Sequence, residues 1–92
     1  MIISFRHKGL KRFFESGSTS GINPAHAARL GGMLLFLDRA ISVDELNLPG
    51  WRLHRLRGRY QGHWSLTVSG NWRLIFQFTD AGVEVLDYLD YH

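Results

Sequence analysis

Apolar and polar side chains alternate in the last third of the chain. Residues 63–69 (HWSLTVS) and residues 72–78 (WRLIFQF) each follow a two-residue period, which is typical of strands with one buried face. Gly70 and Asn71 lie between the two runs and favour a tight hairpin turn. Arg73 occupies a polar position of the second run, so we expect its side chain to point away from the core.

The final segment, residues 83–92 (VEVLDYLDYH), carries apolar side chains at both odd and even positions. A strand that is apolar on both faces is typical of the interior of a sheet. Chain ends ordinarily fray, but an interior strand would hold Asp90, Tyr91 and His92 in a defined geometry at its end.

The first third of the chain predicts one strand followed by a helix. Residues 2–6 (IISFR) are short, β-branched and apolar, which favours a strand. Residues 7–16 place apolar side chains at helical spacing, and Gly17 follows as a typical helix-ending residue.

A second helix is predicted from Asn23, an N-cap residue, which is followed by Pro24 at the first helical position. Gly31 and Gly32 reduce its helix propensity by about 1 kcal/mol each relative to alanine, and we interpret them as sites of close packing against a neighbouring element. The helix should lie on the sheet through an apolar stripe: Ala27, Leu30, Leu34 and Leu37, with Met33 and Ile41 beside it.

These elements predict an α+β fold in which two helices of the N-terminal half pack on one face of a mainly antiparallel sheet of four to five strands. The predicted order is β-α-α-β-β-β-β. The 92 residues are 45% hydrophobic, which is enough for one packed core but too few for a second domain. We therefore expect a single domain over residues 1–92.

The composition limits the cellular compartment that we expect and the kinds of chemical site that the chain can form. The chain has no cysteine, so disulfides and thiolate metal sites are unavailable and a reducing compartment is expected. Charged residues between Arg6 and Arg12 interrupt the N-terminal segment, which therefore favours neither a signal peptide nor a membrane span. These features predict a cytoplasmic protein without membrane contact.

The net charge is only +3, but the charges are unevenly distributed. Residues 51–63 contain four arginines and no acid, whereas residues 80–92 contain four acids and neither lysine nor arginine. If the two segments are neighbours, one interpretation is charge complementarity between strands. The other is a basic surface for nucleic acid with carboxylates set into it.

The residue types in these two segments suit metal-free cleavage of RNA. The neighbouring 2′-hydroxyl of RNA can be the nucleophile, so the protein needs groups that move protons and groups that stabilise the phosphate. Histidine can exchange protons at neutral pH, and arginine binds phosphate oxygens bidentately. A zinc site built from His54, Asp90 and His92 is a second possibility, although no local spacing typical of metal ligands supports it.

Four stretches together resemble one known family. They are residues 3–17 (ISFRHKGLKRFFESG), 52–68 (RLHRLRGRYQGHWSLTV), 71–78 (NWRLIFQF) and 87–92 (DYLDYH). The combination of LHxLxG, WSxxV, NWRxxF and a terminal DYH resembles the HigB branch of the RelE-like toxins, also called plasmid-maintenance killer proteins. The resemblance extends from the first predicted strand to the last residue.

This resemblance implies the RelE-like fold and a toxin of a type II toxin-antitoxin system. Such toxins are ribosome-dependent, metal-independent endoribonucleases that need no cofactor, cut messenger RNA at the decoding site and arrest growth. It also implies a helix-turn-helix antitoxin as partner, which neutralises the toxin and, together with it, represses their operon. Operator DNA would be contacted only indirectly, through that complex.

The resemblance also implies catalytic residues. His54 matches the histidine of LHxLxG, and Asp90, Tyr91 and His92 match the C-terminal motif. Our hypothesis is that His92 and Asp90 handle protons, that His54 assists them or binds the phosphate, and that Tyr91 stacks on a base.

Further residues are expected to bind RNA or to stabilise the transition state. Arg57 lies where relatives often have lysine, and Asn71 and Arg73 match the NWR motif. Arg57 and Arg73 are assigned to the transition state, while Arg55 and Arg59 extend the basic surface.

A non-catalytic alternative stays open. The chain would then bind RNA, the ribosome or a protein partner through its arginines and act mainly as a co-repressor, because a fold does not by itself establish activity. Such a module would need the arginines but not His92.

Overall fold

Helices of the N-terminal half and strands of the C-terminal half form two layers in a computed structural model that describes residues 1–91. The helices are α1 (Lys8–Ser16) and α2 (Ala27–Arg39), and the strands are β1 (His54–Arg55), β2 (Trp64–Ser69), β3 (Trp72–Thr79) and β4 (Gly82–Asp90). Short 3-10 helices cover Pro24–His26, Val43–Leu46 and Gly58–Tyr60. The strands pair antiparallel in the order β1-β2-β3-β4, which confirms the α+β prediction.

Local sequence signals mark the start of both helical segments and the end of α1. The side chain of His7 accepts a hydrogen bond from the Leu10 N–H at 2.9 Å at the start of α1, and Gly17 ends that helix in a left-handed conformation with φ 80°. Asn23 Oδ1 accepts from the Ala25 N–H at 3.0 Å. The turn that Asn23 caps is a 3-10 turn, and α2 begins directly after it.

The core lies between the helices and one face of the sheet. Leu66, Leu74 and Tyr88 form a row across β2, β3 and β4 on that face, and all three are buried. From α2, the predicted stripe contributes four fully or almost fully buried side chains: Leu30, Met33, Leu34 and Leu37. Ile41 was expected beside this stripe but is 90% exposed, because α2 ends at Arg39 and the chain continues in an extended conformation.

The interpretation of Gly31 and Gly32 as close-packing sites is wrong. A Cβ atom on Gly31 would come no nearer than 4.0 Å to the Phe13 ring, and one on Gly32 would have open space around it. The close approach occurs instead between Gly9 of α1 and Gly21 of the following loop, where a Cβ on either glycine would collide with the backbone of the other.

Apolar residues occur at both odd and even positions of β4, but for a different reason from the one expected. The register with β3 shifts between Ile75 and Gln77, and Val85 has a left-handed φ of 49°, so β4 contains a β-bulge. The bulge adds one residue and reverses the alternation. It thereby directs Val83, Leu86 and Tyr88 to the same buried face, with exposures of 0%, 0% and 3%.

The N-terminal segment makes parallel contacts along the outer side of β4. Ile2 pairs with Val83 and Phe5 pairs with Leu86 as isolated bridges, not as the continuous strand expected. The ladder is interrupted at the bulge, where the Val85 N–H donates to the side-chain hydroxyl of Ser4 at 2.9 Å. These bridges give the first half of β4 a neighbour on both sides. β4 nevertheless ends the strand order, and its last residues pair with β3 on one side only, so the expectation of an interior strand is wrong for the end that carries Asp90. Within residues 1–91, no helix has the length and apolarity needed to cross a membrane.

Candidate active-site groove

The face of the sheet opposite the helices carries most of the chemistry predicted from the sequence. Ser65 pairs with His54 on one side and with Ile75 on the other, and directly paired residues point to the same face of a sheet. The next row on this face contains Thr67, Arg73 and Leu89. Arg73 therefore points away from the core, which confirms that prediction.

Residues 51–63, called the basic segment below, fold over part of this face. Only His54 and Arg55 form a strand, and a 3-10 helix and turns follow, so the strand predicted between the second helix and the central hairpin is only two residues long. Gly58 and Gly62 have φ of 67° and 87°, and these left-handed conformations bend the chain back. The Leu56 N–H donates to the His63 carbonyl at 2.9 Å and closes the loop.

The bend of the basic segment explains why Ser65, a residue predicted to be exposed to solvent, is buried. Ser65 was expected on the solvated face of β2, yet it is only 5% exposed. Leu56 of the basic segment is also buried and lines the same cavity as Ser65. The basic segment thus covers part of the polar face of the sheet. The side chains of this face that remain accessible form a groove together with those of the segment.

The groove consists of three adjoining cavities. The largest, about 630 Å³, is lined by Leu53, His54, Arg55, Leu56, Arg57 and Gln61. A second, about 330 Å³, is lined by Arg52, Leu53, His54, Leu56, Ser65, Thr67, Arg73 and Tyr91. The third, about 350 Å³, is lined by Arg57, Arg59, Tyr60, Leu89, Asp90 and Tyr91. His54, Arg57 and Tyr91 each line two cavities, so the cavities form one continuous surface.

Aromatic rings and backbone carbonyls hold several of the guanidinium groups. The Arg55 guanidinium carbon lies 5.3 Å from the centre of the Trp64 ring, and that of Arg59 lies 5.5 Å from the centre of the Tyr60 ring. Both distances fit cation–π contacts. Arg73 Nη1 donates to the carbonyls that flank the hairpin turn, those of Gly70 and Trp72. These contacts keep positive charge at the groove at a small cost in side-chain entropy.

Tyr91, the last described residue, is anchored at the groove. The Tyr91 N–H donates to the Asn71 carbonyl at 2.8 Å, and the Tyr91 ring lies 5.9 Å from the ring of Tyr60, centre to centre. Asp90 lines the cavity beside them. Asn71 contributes its backbone carbonyl at the β2–β3 turn but is not among the residues that line the three cavities. His92, the remaining residue of the predicted site, lies outside the described residues.

A buried aromatic cluster supports β4 from the other face. Tyr88 stacks on Trp72 with ring centres 4.7 Å apart, and its hydroxyl lies 2.7 Å from Nδ1 of His26. Burial raises the pKa of the Tyr88 hydroxyl, although the Asn23 N–H, which donates to it, acts in the opposite direction. Tyr88 and Tyr91 are three residues apart, so they point to opposite faces of the strand.

The two oppositely charged segments meet, but not as neighbouring strands. β1 and β4 lie at opposite ends of the strand order, so the condition for charge pairing between neighbouring strands is not met. The contact is made instead by the turn of the basic segment, which brings Arg57 and Arg59 to the cavity that Asp90 lines. Among residues 1–91, no three histidine, aspartate or glutamate side chains are grouped closely enough to hold a metal ion.

Sequence reasoning missed five polar or aromatic lining residues: Arg52, Tyr60, Gln61, Ser65 and Thr67. A signal was available for Tyr60, because an aromatic residue among arginines is typical of surfaces that bind single-stranded nucleic acid. Ser65 and Thr67 carried no such signal, since alternating small polar residues also occur on any solvated strand face.

Comparison with known proteins gives matches along the whole chain. A family model described as the RelE-like toxin of the type II toxin-antitoxin system HigB matches residues 3–92. The endoribonuclease HigB of Proteus vulgaris is 46% identical over 92 residues, with 100% of both chains covered. Toxin HigB-1 of Vibrio cholerae is 35% identical over 94 residues, with 100% of this chain and 98% of the relative covered.

A solved structure shows the same fold at low sequence identity. The YoeB–YefM complex from Staphylococcus aureus superposes with a TM-score of 0.63 at 17% identity, covering 100% of this chain and 95% of the matched chain. This similarity agrees with the predicted RelE-like architecture of two helices on an antiparallel sheet.

Proposed function

The chain belongs to the HigB-like family of RelE-like toxins of type II toxin-antitoxin systems, and on that premise we propose that it is a ribosome-dependent endoribonuclease that cleaves messenger RNA. The Proteus vulgaris relative carries the name endoribonuclease. The observation that carries the proposal is the shared cavity that His54, Arg73 and Tyr91 line on the polar face of the sheet.

The proposed reaction uses the RNA's own nucleophile. A base removes the proton of the 2′-hydroxyl, and the 2′-oxygen attacks the adjacent phosphorus. The bond from phosphorus to the 5′-oxygen breaks, and an acid donates a proton to the leaving oxygen. A 2′,3′-cyclic phosphate and a 5′-hydroxyl result, so the step needs proton transfer and charge stabilisation but no redox partner and no cofactor.

The residues of the groove suit these roles. His92 and Asp90 are proposed to transfer the protons, with His54 assisting or binding the phosphate. Arg57 and Arg73 would stabilise the charge of the crowded phosphate, and fixed donors of this kind accelerate reactions by about 10²–10³-fold. The contacts of Arg73 with two backbone carbonyls support this role, because they hold its guanidinium group in place before substrate binds.

The remaining basic residues are proposed to bind the RNA. Arg55 and Arg59 lie on aromatic rings at the rim of the groove, where they would contact backbone phosphates. Asn71, at the hairpin turn beside the Tyr91 backbone, would contact a neighbouring nucleotide. Tyr91 would stack on a base.

The family also implies the partners. We propose that a helix-turn-helix antitoxin neutralises the protein, and that the complex of the two binds operator DNA through the antitoxin. The family description supports an antitoxin, as does the solved neighbour, which is itself a YoeB–YefM complex. Because the proposed substrate is a translated message, the proposed site of action is the ribosome in the cytoplasm.

The test is primer extension on a translated message in a cell-free bacterial system, with and without ribosomes. Wild type is compared with His92→Ala and Arg57→Ala. Ribosome-dependent cuts are expected in wild type and should vanish in His92→Ala, while binding of that variant to ribosomes is retained. Arg57→Ala should weaken cleavage because a phosphate-neutralising charge is lost.

Two results would contradict the proposal. A folded wild-type protein that binds ribosomes but makes no cut would leave the co-repressor function as the better account. Full cleavage by His92→Ala would reject the proton-transfer assignment while keeping the nuclease.

A further inference from the structure

One end of the groove has the form of a binding site for a flat ligand. It is the cavity of about 350 Å³ lined by Arg57, Arg59, Tyr60, Leu89, Asp90 and Tyr91. The cavity adjoins the one lined by His54 through Arg57 and the one lined by Arg73 through Tyr91. A ligand in this cavity would therefore lie next to the position proposed for the reacting phosphate.

Two tyrosine rings form the aromatic part of the cavity. The rings of Tyr60 and Tyr91 are 5.9 Å apart, centre to centre, at an interplanar angle of 54°. Both side chains are half-buried. The rings are too tilted to be a tight stacked pair with each other, so each keeps part of its surface for another planar group.

Neighbouring contacts limit the freedom of the Tyr60 ring. His63 packs edge-on against it with ring centres 5.7 Å apart, and the Arg59 guanidinium lies 5.5 Å from its centre. The Tyr60 N–H also donates to the Arg57 carbonyl within the 3-10 turn. A ring that is already positioned loses little entropy when a ligand stacks on it.

The charges around the rings point to a nucleotide. Two guanidinium groups, from Arg57 and Arg59, flank the aromatic surface, and arginine pairs with phosphate oxygens. Aromatic surface together with fixed positive charge is the combination that binds single-stranded nucleic acid. A purely apolar ligand would make no use of the two guanidinium groups, and an inorganic anion would make no use of the rings.

We propose that this cavity is a subsite for one unpaired nucleotide of the RNA next to the scissile phosphate, with its base on the rings of Tyr60 and Tyr91 and its phosphate at Arg57 and Arg59. The inference rests on the proposed endoribonuclease activity and adds Tyr60 as a substrate-contacting residue. Every nucleobase has a π-face, so the subsite should contribute to binding without strong preference among the four bases.

The test combines protein variants with modified messages. Each synthetic message carries a single abasic nucleotide at one of the positions flanking the cut. Single-turnover cleavage on ribosomes is measured with the protein in excess over the message but below the concentration that saturates binding. The variants are Tyr60→Leu, which removes the ring, and Tyr60→Phe, which keeps it. Phe14→Leu is the matched control, because Phe14 is an exposed aromatic residue on α1 outside the groove.

The subsite predicts a specific pattern. Wild type should lose cleavage roughly 5- to 150-fold, the range expected for one base–aromatic stack, when one particular position is abasic. Tyr60→Leu should show a loss in that range on the intact message and little further loss at that position. Phe14→Leu should cleave like wild type and keep the full abasic effect. Tyr60→Phe, which keeps the ring, should restore most of the cleavage that Tyr60→Leu loses and should show the abasic effect again.

Other outcomes would reject the subsite while leaving the proposed nuclease activity intact. If wild type cleaves every abasic message as well as the intact one, no base is stacked, whatever the variants do. Equal abasic effects in Tyr60→Leu and wild type at every position would also overturn the proposal. Failure of the nuclease itself looks different, because wild type would then leave the intact message uncut.

Discussion

His26 Nδ1 lies 2.7 Å from the hydroxyl of Tyr88, and both side chains are buried. This contact joins the turn before α2 to β4, and Tyr88 stacks in addition on Trp72 of β3. Tyr91 follows three residues later on the same chain segment and faces the groove. The buried pair therefore anchors the strand that carries the proposed active site.

Removing the Tyr88 hydroxyl should destabilise the protein. In Tyr88→Phe, buried His26 loses its hydrogen-bond partner, and an unsatisfied buried polar group costs about 1–3 kcal/mol. We expect the free energy of unfolding, measured by urea denaturation at neutral pH, to fall by that amount. Tyr60→Phe is the control and should change it by less than about 0.5 kcal/mol; equal losses in the two variants would contradict the anchoring role.

Alkaline pH should weaken the folded state through the same residue. Burial raises the pKa of Tyr88 above its ordinary value of 10.0. The unfolded chain therefore releases this proton at lower pH than the folded chain does, and the unfolded state gains stability once the pH exceeds about 10. The contribution of protonated Tyr88 to the free energy of unfolding is therefore complete below that pH, and it is lost as the pH rises through the pKa of Tyr88 in the folded state.

The measurement for this pH effect is urea denaturation between about pH 9 and 11. Wild type should lose stability more steeply than Tyr88→Phe, which has no proton to release at that position. Parallel curves for the two proteins would show that another group causes the alkaline loss.

Alanine substitutions at two glycines should have opposite effects on the stability of the fold. Gly9→Ala should destabilise the fold, because its Cβ would collide with backbone atoms of Gly21. Backbone atoms cannot move aside as the end of a flexible side chain could. Gly32→Ala should stabilise it by up to about 1 kcal/mol, since the site is open and alanine is the better helix former. Thermal unfolding of the two variants tests this, and the same sign of change in both would refute the packing account.

Salt should weaken RNA binding in proportion to the number of arginines that contact phosphate. For a single-stranded RNA, each neutralised phosphate contributes about 0.7 to the slope of log affinity against log salt concentration. Arg59→Ala should therefore lower the slope by about that value. Arg39→Ala, on α2 and outside the groove, should leave it unchanged; a flat salt response in wild type would exclude the basic segment from RNA binding.

Local sequence was sufficient for the start of both helical segments, the end of α1 and the central hairpin. Asn23 and Gly17 act on backbone groups within a few residues of themselves, and alternation along β2 and β3 reports one buried face directly. The basic character of residues 51–63 was equally visible, because charge is a property of composition. The expected positions of Arg73 and of the apolar stripe in α2 followed from the same short-range periods.

Only the tertiary structure decided where these elements meet. The bulge at Val85 depends on pairing with β3 and on the Ser4 hydroxyl, 81 residues away in sequence, so periodicity alone gave a misleading account of β4. The contact between Tyr60 and Tyr91 likewise joins residues 31 positions apart. Short-range patterns carry no information about such contacts, because they form only when separate segments pack on the same sheet.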